Sequence, residues 1–243
     1  MGSRSGQVGG SAVVRAAEAV LDKARRVAAH LLEAGPEDVV VSDDGRVGIA
    51  GVPDRAFTWA ELAQAASDPA RLPEGMDPGL VSNETFSQDA NGTYPFGAHV
   101  AVVDVDTETG RVRLLRHVAV DDCGRILNPL LVEGQVHGGL AQGIAQALFE
   151  EVLFDESGTP LTGNLMSYEI PSAAELPSFE TAHTVTPTTA NPLGAKGIGE
   201  SATIGSTPAV QSAVIDALSH LGVRHIDMPL SPERVWRAIR DAR

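Results

Sequence analysis

Apolar residues recur at steps of three and four in several stretches of the chain, the pattern of helices with one buried face. The predicted helices cover about 11–34, 58–67, 130–150, 206–221 (beginning at Ser206 or Thr207) and the stretch after Ser231-Pro232. Two of them have recognisable starts. Thr58-Trp-Ala-Glu61 has the spacing of a capping box, and Ser231-Pro232 places an N-cap residue before a proline at the first helical position.

Other stretches alternate apolar and polar residues or form short apolar runs, which is typical of β-strands. The predicted strands are 39–41, 47–49, 98–106, 112–121, 152–154, 161–168, 179–185 and 223–226. Asp44-Gly45 and Thr107–Gly110 supply turn chemistry, so the first four strands are expected to form two hairpins. Residues 68–95 have no sustained period and predict a long loop. Hairpins mixed with helices favour an α+β fold, which we divide into segments 1–95 and 96–243.

Composition narrows the classes of function. Hydrophobic residues make up 43% of the 243 residues and aromatic residues only 4%, so the core is expected to consist mainly of Ala, Val, Leu and Ile. A formal net charge of -14 disfavours nucleic acid and anionic membrane surfaces as partners. No run of about 18 apolar residues occurs, so no membrane-spanning helix is predicted.

Cysteine and histidine usage argues against a metal held by this chain's side chains. The single cysteine, Cys123, excludes an internal disulfide framework and an iron–sulfur or thiolate-zinc site within this sequence. The histidines are scattered without the spacing of a zinc site. The chain also lacks a secretory signal, so a soluble protein in the cytoplasm is expected.

Three glycine-rich segments, 2–11, 134–143 and 194–201, are the candidates for chemistry. Glycines beside a helix N-terminus let an anion approach free backbone N–H groups. Lys196 precedes the glycines of the third segment, which is unlike a phosphate-binding loop, and no dinucleotide fingerprint follows a strand. An ordinary ATP or NAD site is therefore disfavoured. The alternative is that these glycines only form turns and helix ends.

The same segments carry a family resemblance. Together with 95–104, 121–129 and 222–230, they resemble the molybdenum-binding large subunit of the xanthine dehydrogenase and aldehyde oxidase family, especially its aerobic carbon monoxide dehydrogenase branch. The resemblance covers only the C-terminal part of such a subunit. It implies three partners, which are the remaining part of the molybdenum subunit, an iron–sulfur subunit and a flavin subunit. It also implies that the chain is inactive by itself.

The resemblance further implies a molybdopterin cofactor with molybdenum, in its cytosine dinucleotide form. Hydrogen bonds would hold this cofactor, without a protein ligand to the metal. The implied cofactor-binding residues are Gly2, Ser3, Arg4, Ser5, Gln135, Gly138, Gly139, Gln142, Lys196, Gly197, Ile198 and Gly199. For Gln135 and Gln142, whose amides both donate and accept, hydrogen bonding within the protein is the alternative. For Arg4 the alternative is an unattached terminal residue.

The resemblance implies that Glu200 is the general base. Enclosure by Gly197, Ile198 and Gly199 would remove water from its carboxylate and make it a better proton acceptor. The alternative is a carboxylate that only stabilises the start of a helix. The expected function is an oxidoreductase that oxidises a small substrate with oxygen derived from water. A non-catalytic fragment for cofactor binding or assembly is the second hypothesis, while a serine hydrolase is disfavoured by the lack of a Gly-x-Ser-x-Gly motif.

Overall fold

The computed structural model describes residues 4–88 and 92–242. The helices are α1 (Ser5–Leu32), α2 (Trp59–Ala66), α3 (Pro129–Leu148), α4 (Ser201–Leu218) and α5 (Pro232–Asp241). The strands are β1 (Val39–Val41), β2 (Val47–Ile49), β3 (Ala56–Phe57), β4 (Phe96–Val105), β5 (Val112–Asp122) and β6 (Phe179–Thr184). Short 3₁₀ turns lie at 36–38, 69–71 and 219–221. The predicted mixture of helices and small sheets is confirmed.

The described residues form two compact units. One comprises residues 8–87, and the other comprises residues 88–242 with residues 4–7 added from the start of the chain. The sequence does not indicate this association of the first residues with the C-terminal part. The predicted segments 1–95 and 96–243 stay a prediction. No helix in the described part of the chain is long and apolar enough to cross a membrane.

The N-terminal unit contains the first sheet. β1, β2 and β3 pair in an antiparallel order, which confirms the predicted hairpin and adds a third strand of only two residues. The predicted capping box is also confirmed. The Thr58 N–H donates to Glu61 Oε2 at 2.8 Å, and the Glu61 N–H donates to Thr58 Oγ1 at 3.2 Å, so two free N–H groups of α2 are satisfied.

The start of α1 corrects the prediction for the first glycine-rich segment. The helix begins at Ser5, so most of the expected loop at 2–11 is helical despite Gly6 and Gly9. Local propensity disfavours this start, because each glycine costs about 1 kcal/mol relative to alanine. Burial of Gln7 and Ser11 shows that tertiary packing holds the segment. Gly2 and Ser3 lie outside the described residues.

The C-terminal unit is built on the second sheet, in the order β4-β5-β6. β4 and β5 form the predicted antiparallel hairpin. β6 confirms the predicted strand at 179–185, but it pairs with β5 in parallel, from His117 opposite Phe179 to Asp122 opposite Thr184. A parallel neighbour needs a long crossover connection, which here includes α3. The prediction of hairpins did not anticipate this.

Three predicted strands are wrong. Between 149 and 178 the described chain is irregular. The stretch at 152–154 contributes only an isolated bridge from Phe154 to Pro160, and the stretch at 161–168 contributes none. The third, at 223–226, is also irregular. Its apolar residues Val223 and Ile226 are buried in the same core as residues of α4 and α5. Burial in this core, rather than membership of a strand, explains why they are apolar.

Helix α4 begins at Ser201, five residues before the first predicted start, and contains Pro208 in its interior. A proline ordinarily favours the first turn of a helix, which makes the true start difficult to locate from the sequence. Because the helix starts earlier, its N-terminus directly follows Glu200. The predicted final helix, α5, is confirmed at Pro232, although Ser231 makes no side-chain capping hydrogen bond.

The glycines of α3 have two different environments. A Cβ on Gly139 would lie 2.8 Å from Ala202 Cβ, and one on Gly143 would lie 2.7 Å from Ser206 Cβ, so both glycines let α4 approach. Nothing in the described chain lies within 4 Å of a Cβ placed on Gly138. Helix α4 therefore approaches α3 closely on one side only.

Hydroxyl groups of α4 add hydrogen bonds to this contact. Thr203 Oγ1 donates to the Gly139 carbonyl at 3.1 Å, and Ser206 Oγ donates to the Leu140 carbonyl at 3.2 Å. Thr207 Oγ1 donates to the Gly143 carbonyl at 3.3 Å. These bonds are possible only at a short separation between the helices, because a hydroxyl side chain is short. Small residues and hydroxyls together join α3 to α4.

We predict that Gly139→Val destabilises the protein by about 1–3 kcal/mol, because the added side chain would overlap α4. Gly138→Ala is the matched control on the same helix, where open space and the gain in helix propensity predict a neutral or slightly stabilising effect. Urea unfolding of both variants, followed by circular dichroism, measures the difference. Equal stability of the two variants would contradict the proposed role of Gly139 in packing.

Candidate functional site

A mostly apolar groove of about 310 Å³ in the C-terminal unit brings predicted site residues together. It is lined by residues 5–7, parts of 123–135 and residues 195–199. Its volume is at the lower end of the range for small-molecule sites. A larger groove in the N-terminal unit, beside Lys23 and Arg26, holds none of the predicted site residues. The sequence separation of the three lining stretches shows that only the folded chain forms this site.

The beginnings of helices lie around the groove. Ser5 and Gly6 begin α1, Asn128 caps α3, and Gly199 lies two residues before α4. The Leu131 N–H donates to Asn128 Oδ1 at 3.2 Å. The first N–H groups of a helix have no partner within that helix and favour oxygen acceptors. The groove therefore combines apolar walls with backbone donors, which suits a polar, partly anionic ligand.

Six of the predicted cofactor-binding residues line this groove. They are Ser5, Gln135, Lys196, Gly197, Ile198 and Gly199. Gln135 is exposed on α3 and presents an amide that can both donate and accept hydrogen bonds. Cys123 also lines the groove and is buried, and burial raises the pKa of its thiol. A thiol in this state is a poor nucleophile, which favours a structural role for Cys123.

The other predicted residues lie elsewhere in the unit. Arg4 and Gly138 are exposed outside the groove lining, and Gly139 is covered by α4. Gln142 Oε1 lies 3.3 Å from Thr203 Oγ1, where it shares the one hydroxyl hydrogen with the Gly139 carbonyl. This is the kind of internal role given above as its alternative. The cofactor contacts of all the predicted site residues, including the six that line the groove, stay predictions.

Glu200 is at the N-cap position of α4, immediately after the groove residue Gly199. It is exposed, and its side chain makes no capping hydrogen bond. The expected enclosure by Gly197 and Ile198 is therefore not present in the described chain. Its side chain is also not engaged as a hydrogen-bonding cap of α4. The general-base role of Glu200 stays a prediction.

The loop that leads to Glu200 is bonded to residues 123–125. The Lys196 N–H donates to the Cys123 carbonyl at 2.7 Å, and the Arg125 N–H donates to the Gly194 carbonyl at 2.9 Å. Gly124 has a φ of +70°, and a Cβ there would overlap the Gly194 carbonyl oxygen. This is a position that requires glycine for both conformation and space. The two loops form one wall of the groove.

Asp122, at the end of β5, holds the Lys196 side chain. Lys196 Nζ lies 3.1 Å from Asp122 Oδ1, and both side chains are buried, with 8% and 0% exposed. Thr184 Oγ1 and the Gly124 N–H also donate to this carboxylate, each at 2.9 Å. Burial by itself would raise the pKa of Asp122, but hydrogen bonds from Gly124, Thr186, Thr184 and Lys196 outweigh it and lower the pKa well below its usual range.

Asp121 belongs to a second buried group. Its Oδ1 accepts a hydrogen bond from Ser201 Oγ at 2.8 Å, and its Oδ2 lies 3.3 Å from His99 Nε2. Burial alone would raise the pKa of Asp121, but the His99 and Ser201 hydrogen bonds outweigh it and lower that pKa. The ring of His117 lies edge-on to that of His99, with 5.6 Å between centroids.

Sequence reasoning did not assign roles to Asp121 or Asp122. The available signal was two consecutive acidic residues at the end of a strand that otherwise alternates, directly before the Cys123-Gly124 turn. Consecutive side chains of a strand lie on opposite faces, so one of the two was bound to be turned inward. The structure shows that both are buried. In residues 4–88 and 92–242, no group of three or more His, Cys, Asp or Glu residues is arranged to hold a metal.

Comparison with known proteins gives the family. Residues 1–177 match the molybdopterin cofactor-binding domain. The carbon monoxide dehydrogenase large chain of Hydrogenophaga pseudoflava is 43% identical over 99% of this chain and 29% of that protein. The nicotine 6-hydroxylase large subunit of Paenarthrobacter nicotinovorans is 37% identical over 98% of this chain and 29% of that protein. The crystal structure of quinoline 2-oxidoreductase from Pseudomonas putida 86 has a TM-score of 0.89 and 41% identity, covering 98% of this chain and 30% of that chain.

The chain thus has the fold of a molybdenum-cofactor-binding protein. It belongs to the molybdopterin cofactor-binding domain family, and its similarity to the carbon monoxide dehydrogenase large chain confirms the predicted branch. It spans about 29% of the length of these relatives. The groove fits such a cofactor chemically, since its backbone N–H groups and the Gln135 amide are suited to hold polar oxygen and nitrogen atoms without ligating a metal.

The buried histidine beside the site predicts a pH-dependent stability. Burial, and to a smaller extent His99, lower the pKa of His117 from 6.5 to about 4. Neither ring nitrogen of His117 has a hydrogen-bond partner among the described residues. The unfolded chain therefore binds a proton at a pH where the folded protein does not. The stability present above pH 6.5 is lost as the pH falls toward 4.

We expect acidification from about pH 7.5 to about pH 5 to lower the free energy of unfolding by about 2 kcal/mol through His117. His117→Leu should remove that part of the pH dependence, while His220→Leu, at an exposed position, should retain it. Urea unfolding at both pH values measures the two slopes. An unchanged slope in His117→Leu would exclude His117 as the source.

Proposed function

We propose that this chain forms the part of a molybdenum hydroxylase that contacts the cofactor and supplies the general base, in an enzyme that oxidises a small substrate with oxygen from water. The observation that carries the proposal is the groove, where Ser5, Gln135 and residues 196–199 meet from three distant parts of the sequence. Family membership supports it. The relatives include enzymes named for carbon monoxide and for nicotine, so the family does not define the substrate.

The residues that would hold the cofactor are Gln135, Lys196–Gly199 and the first residues of α1. When bound, a molybdenum cofactor accepts electrons from the substrate. The Gln135 amide and the backbone N–H groups at the helix starts would orient it by hydrogen bonds, while Leu131 and Val132 would exclude water from one side. We propose the cytosine dinucleotide form, with Ser3 and Arg4 toward its nucleotide end, where an arginine can bind a phosphate.

Glu200 would act as the general base in this proposal. It follows the groove residue Gly199 and retains a carboxylate without a capping role, so the group is free to accept a proton at Oε. Its exposure in this chain fits a site that is completed by other protein. The remaining part of the molybdenum subunit would cover it and remove water, which makes a carboxylate a better base.

Partners of this kind are supported by the surface of the C-terminal unit. Leu165, Met166 and Ile170 are 81%, 96% and 60% exposed in the irregular segment after α3, and Leu130 is 77% exposed. Apolar residues concentrated in this way mark interaction sites in soluble proteins. We propose that the rest of the molybdenum subunit covers such residues, and that an iron–sulfur subunit and a flavin subunit carry the electrons away.

The second candidate function is a non-catalytic module for cofactor binding or assembly. The exposure of Glu200 in the described chain favours it. The two candidates make different predictions after co-expression of the chain with its genomic neighbours. An enzyme part yields a complex with molybdenum, released pterin and dye-linked oxidation of an aldehyde, a purine, an N-heterocycle or carbon monoxide, whereas a module yields bound pterin without turnover.

For the complex, Glu200→Gln is expected to lower kcat by about 10²- to 10⁴-fold, because the amide has the same shape and cannot accept the proton. Molybdenum and pterin content should remain unchanged. Glu156→Gln, in an exposed turn, is the matched control and should retain full turnover. Dye-linked rates together with metal analysis give the result. Near-normal turnover of Glu200→Gln with full molybdenum would show that another group is the base.

Gln135→Ala is expected to reduce the pterin and molybdenum bound by the complex, since it removes an amide from the groove. The control is Glu133→Ala, two residues earlier on α3 and outside the groove lining. Released pterin is measured by fluorescence and molybdenum by elemental analysis in both variants. Equal cofactor content in the two would argue against a contact between Gln135 and the cofactor.

A further inference from the structure

Two consecutive carboxylates at the end of β5 hold the two ends of the segment that contains Glu200. Asp122 contacts Lys196 at one end, and Asp121 contacts Ser201 at the other. Between these anchors lie only Gly197, Ile198, Gly199 and Glu200. Neither carboxylate belongs to the groove lining.

The Asp122 anchor has several partners, which come from β6, from the turn after β5 and from the loop before α4. Its carboxylate accepts hydrogen bonds from Thr184 on β6 and from the Gly124 N–H, in addition to the contact with Lys196. The lysine is held further by the ring of Phe96, whose centroid lies 4.5 Å from Nζ. With 0% of the Asp122 side chain exposed, water cannot replace these partners. Lys196 is therefore fixed to the sheet.

The Asp121 anchor fixes the start of α4. Ser201 is the first residue of that helix, and its Oγ donates to Asp121 at 2.8 Å. His99 on β4 contacts the same carboxylate, and its side chain is only 3% exposed. One turn into the helix, Gly205 lets α4 pass close to His99, because a Cβ there would lie 2.8 Å from the ring. Ser201 is thus tied to both β4 and β5.

Stability alone does not account for the two carboxylates. Removing two adjacent acidic side chains from water is costly, and buried ion pairs are often no better for stability than apolar residues of similar volume. What a short, directional hydrogen bond does supply is a defined position for its donor. Here the donors are the residues that bracket the predicted base.

We propose that Asp121 and Asp122 are positioning residues that clamp the 196–201 segment and thereby set the place of the Glu200 carboxylate relative to the groove. This inference rests on the proposed general-base function of Glu200. The two residues act through Lys196 and Ser201 and do not touch substrate or cofactor. A displacement of about 1 Å at a reacting group can lower a rate by about 10²-fold, so a clamp of this kind has a measurable effect.

The test uses the assembled complex, with Asp121→Asn, Asp122→Asn and Ser201→Ala made singly and in combination with Glu200→Gln. Each single variant is expected to lower kcat by about 10- to 100-fold with KM and molybdenum content nearly unchanged. Ser201→Thr keeps the hydroxyl and should retain most of the activity. Asp104→Asn breaks an exposed ion pair with Arg113 on the same hairpin and should have no effect.

The decisive readout is non-additivity. A positioning residue acts only through the base, so the Asp and Ser variants should cause no further loss in the Glu200→Gln background. Losses that multiply in the double variants would assign these residues a merely structural role and overturn the clamp. Full turnover in Ser201→Ala would also overturn it, and this small change avoids the folding problem that the buried carboxylates could present.

The same set separates the two proposals. If Glu200→Gln loses turnover while the Asp121, Asp122 and Ser201 variants keep it, the general base stands and the clamp fails. If Glu200→Gln keeps turnover with full molybdenum, the general base fails and the clamp fails with it.

Discussion

The close contact between α3 and α4 is the constraint on which the rest of the C-terminal unit depends. At Gly139 and Gly143, α3 has no side chain that would keep α4 at a distance. Hydroxyls of α4 donate to carbonyls of α3 at this contact. Because the helices touch over this length, the start of α4 is placed beside the groove that α3 lines with Gln135. A larger residue at either glycine would move the segment that leads to Glu200.

The end of β5 adds a second constraint, and it is electrostatic. Asp121 and Asp122 lie on opposite faces of the sheet. Two consecutive residues of β5 therefore contact both Lys196 in the loop before α4 and Ser201 at the start of α4. Buried carboxylates require several partners each, and those partners come from β4, β6 and the loop before α4. Because these two buried carboxylates need hydrogen-bonding and charged partners, they join elements that apolar packing alone would leave free to shift.

The amide and glycine chemistry of the groove follows from the same arrangement. Helix starts provide N–H donors, glycines leave backbone exposed, and the walls are apolar, so the site can hold a polar cofactor without a ligating side chain. Glu200 is exposed and directly follows the groove residue Gly199. The family match and the exposed apolar residues after α3 agree with the proposal that residues of another polypeptide complete this site.

The sequence by itself determined many of the local elements and the family. The capping box at Thr58, the β4-β5 hairpin, the helix after Pro129 and the glycine-rich segments all follow from spacing and turn chemistry, which are local. Only the tertiary structure decided that β6 pairs in parallel, that the apolar Val223 is buried in the core between helices and sheet rather than in a strand, and that Asp121 and Asp122 contact the two ends of the Glu200 segment. These outcomes depend on contacts between distant residues, and no local pattern encodes which distant partner satisfies a buried charge or covers an apolar side chain.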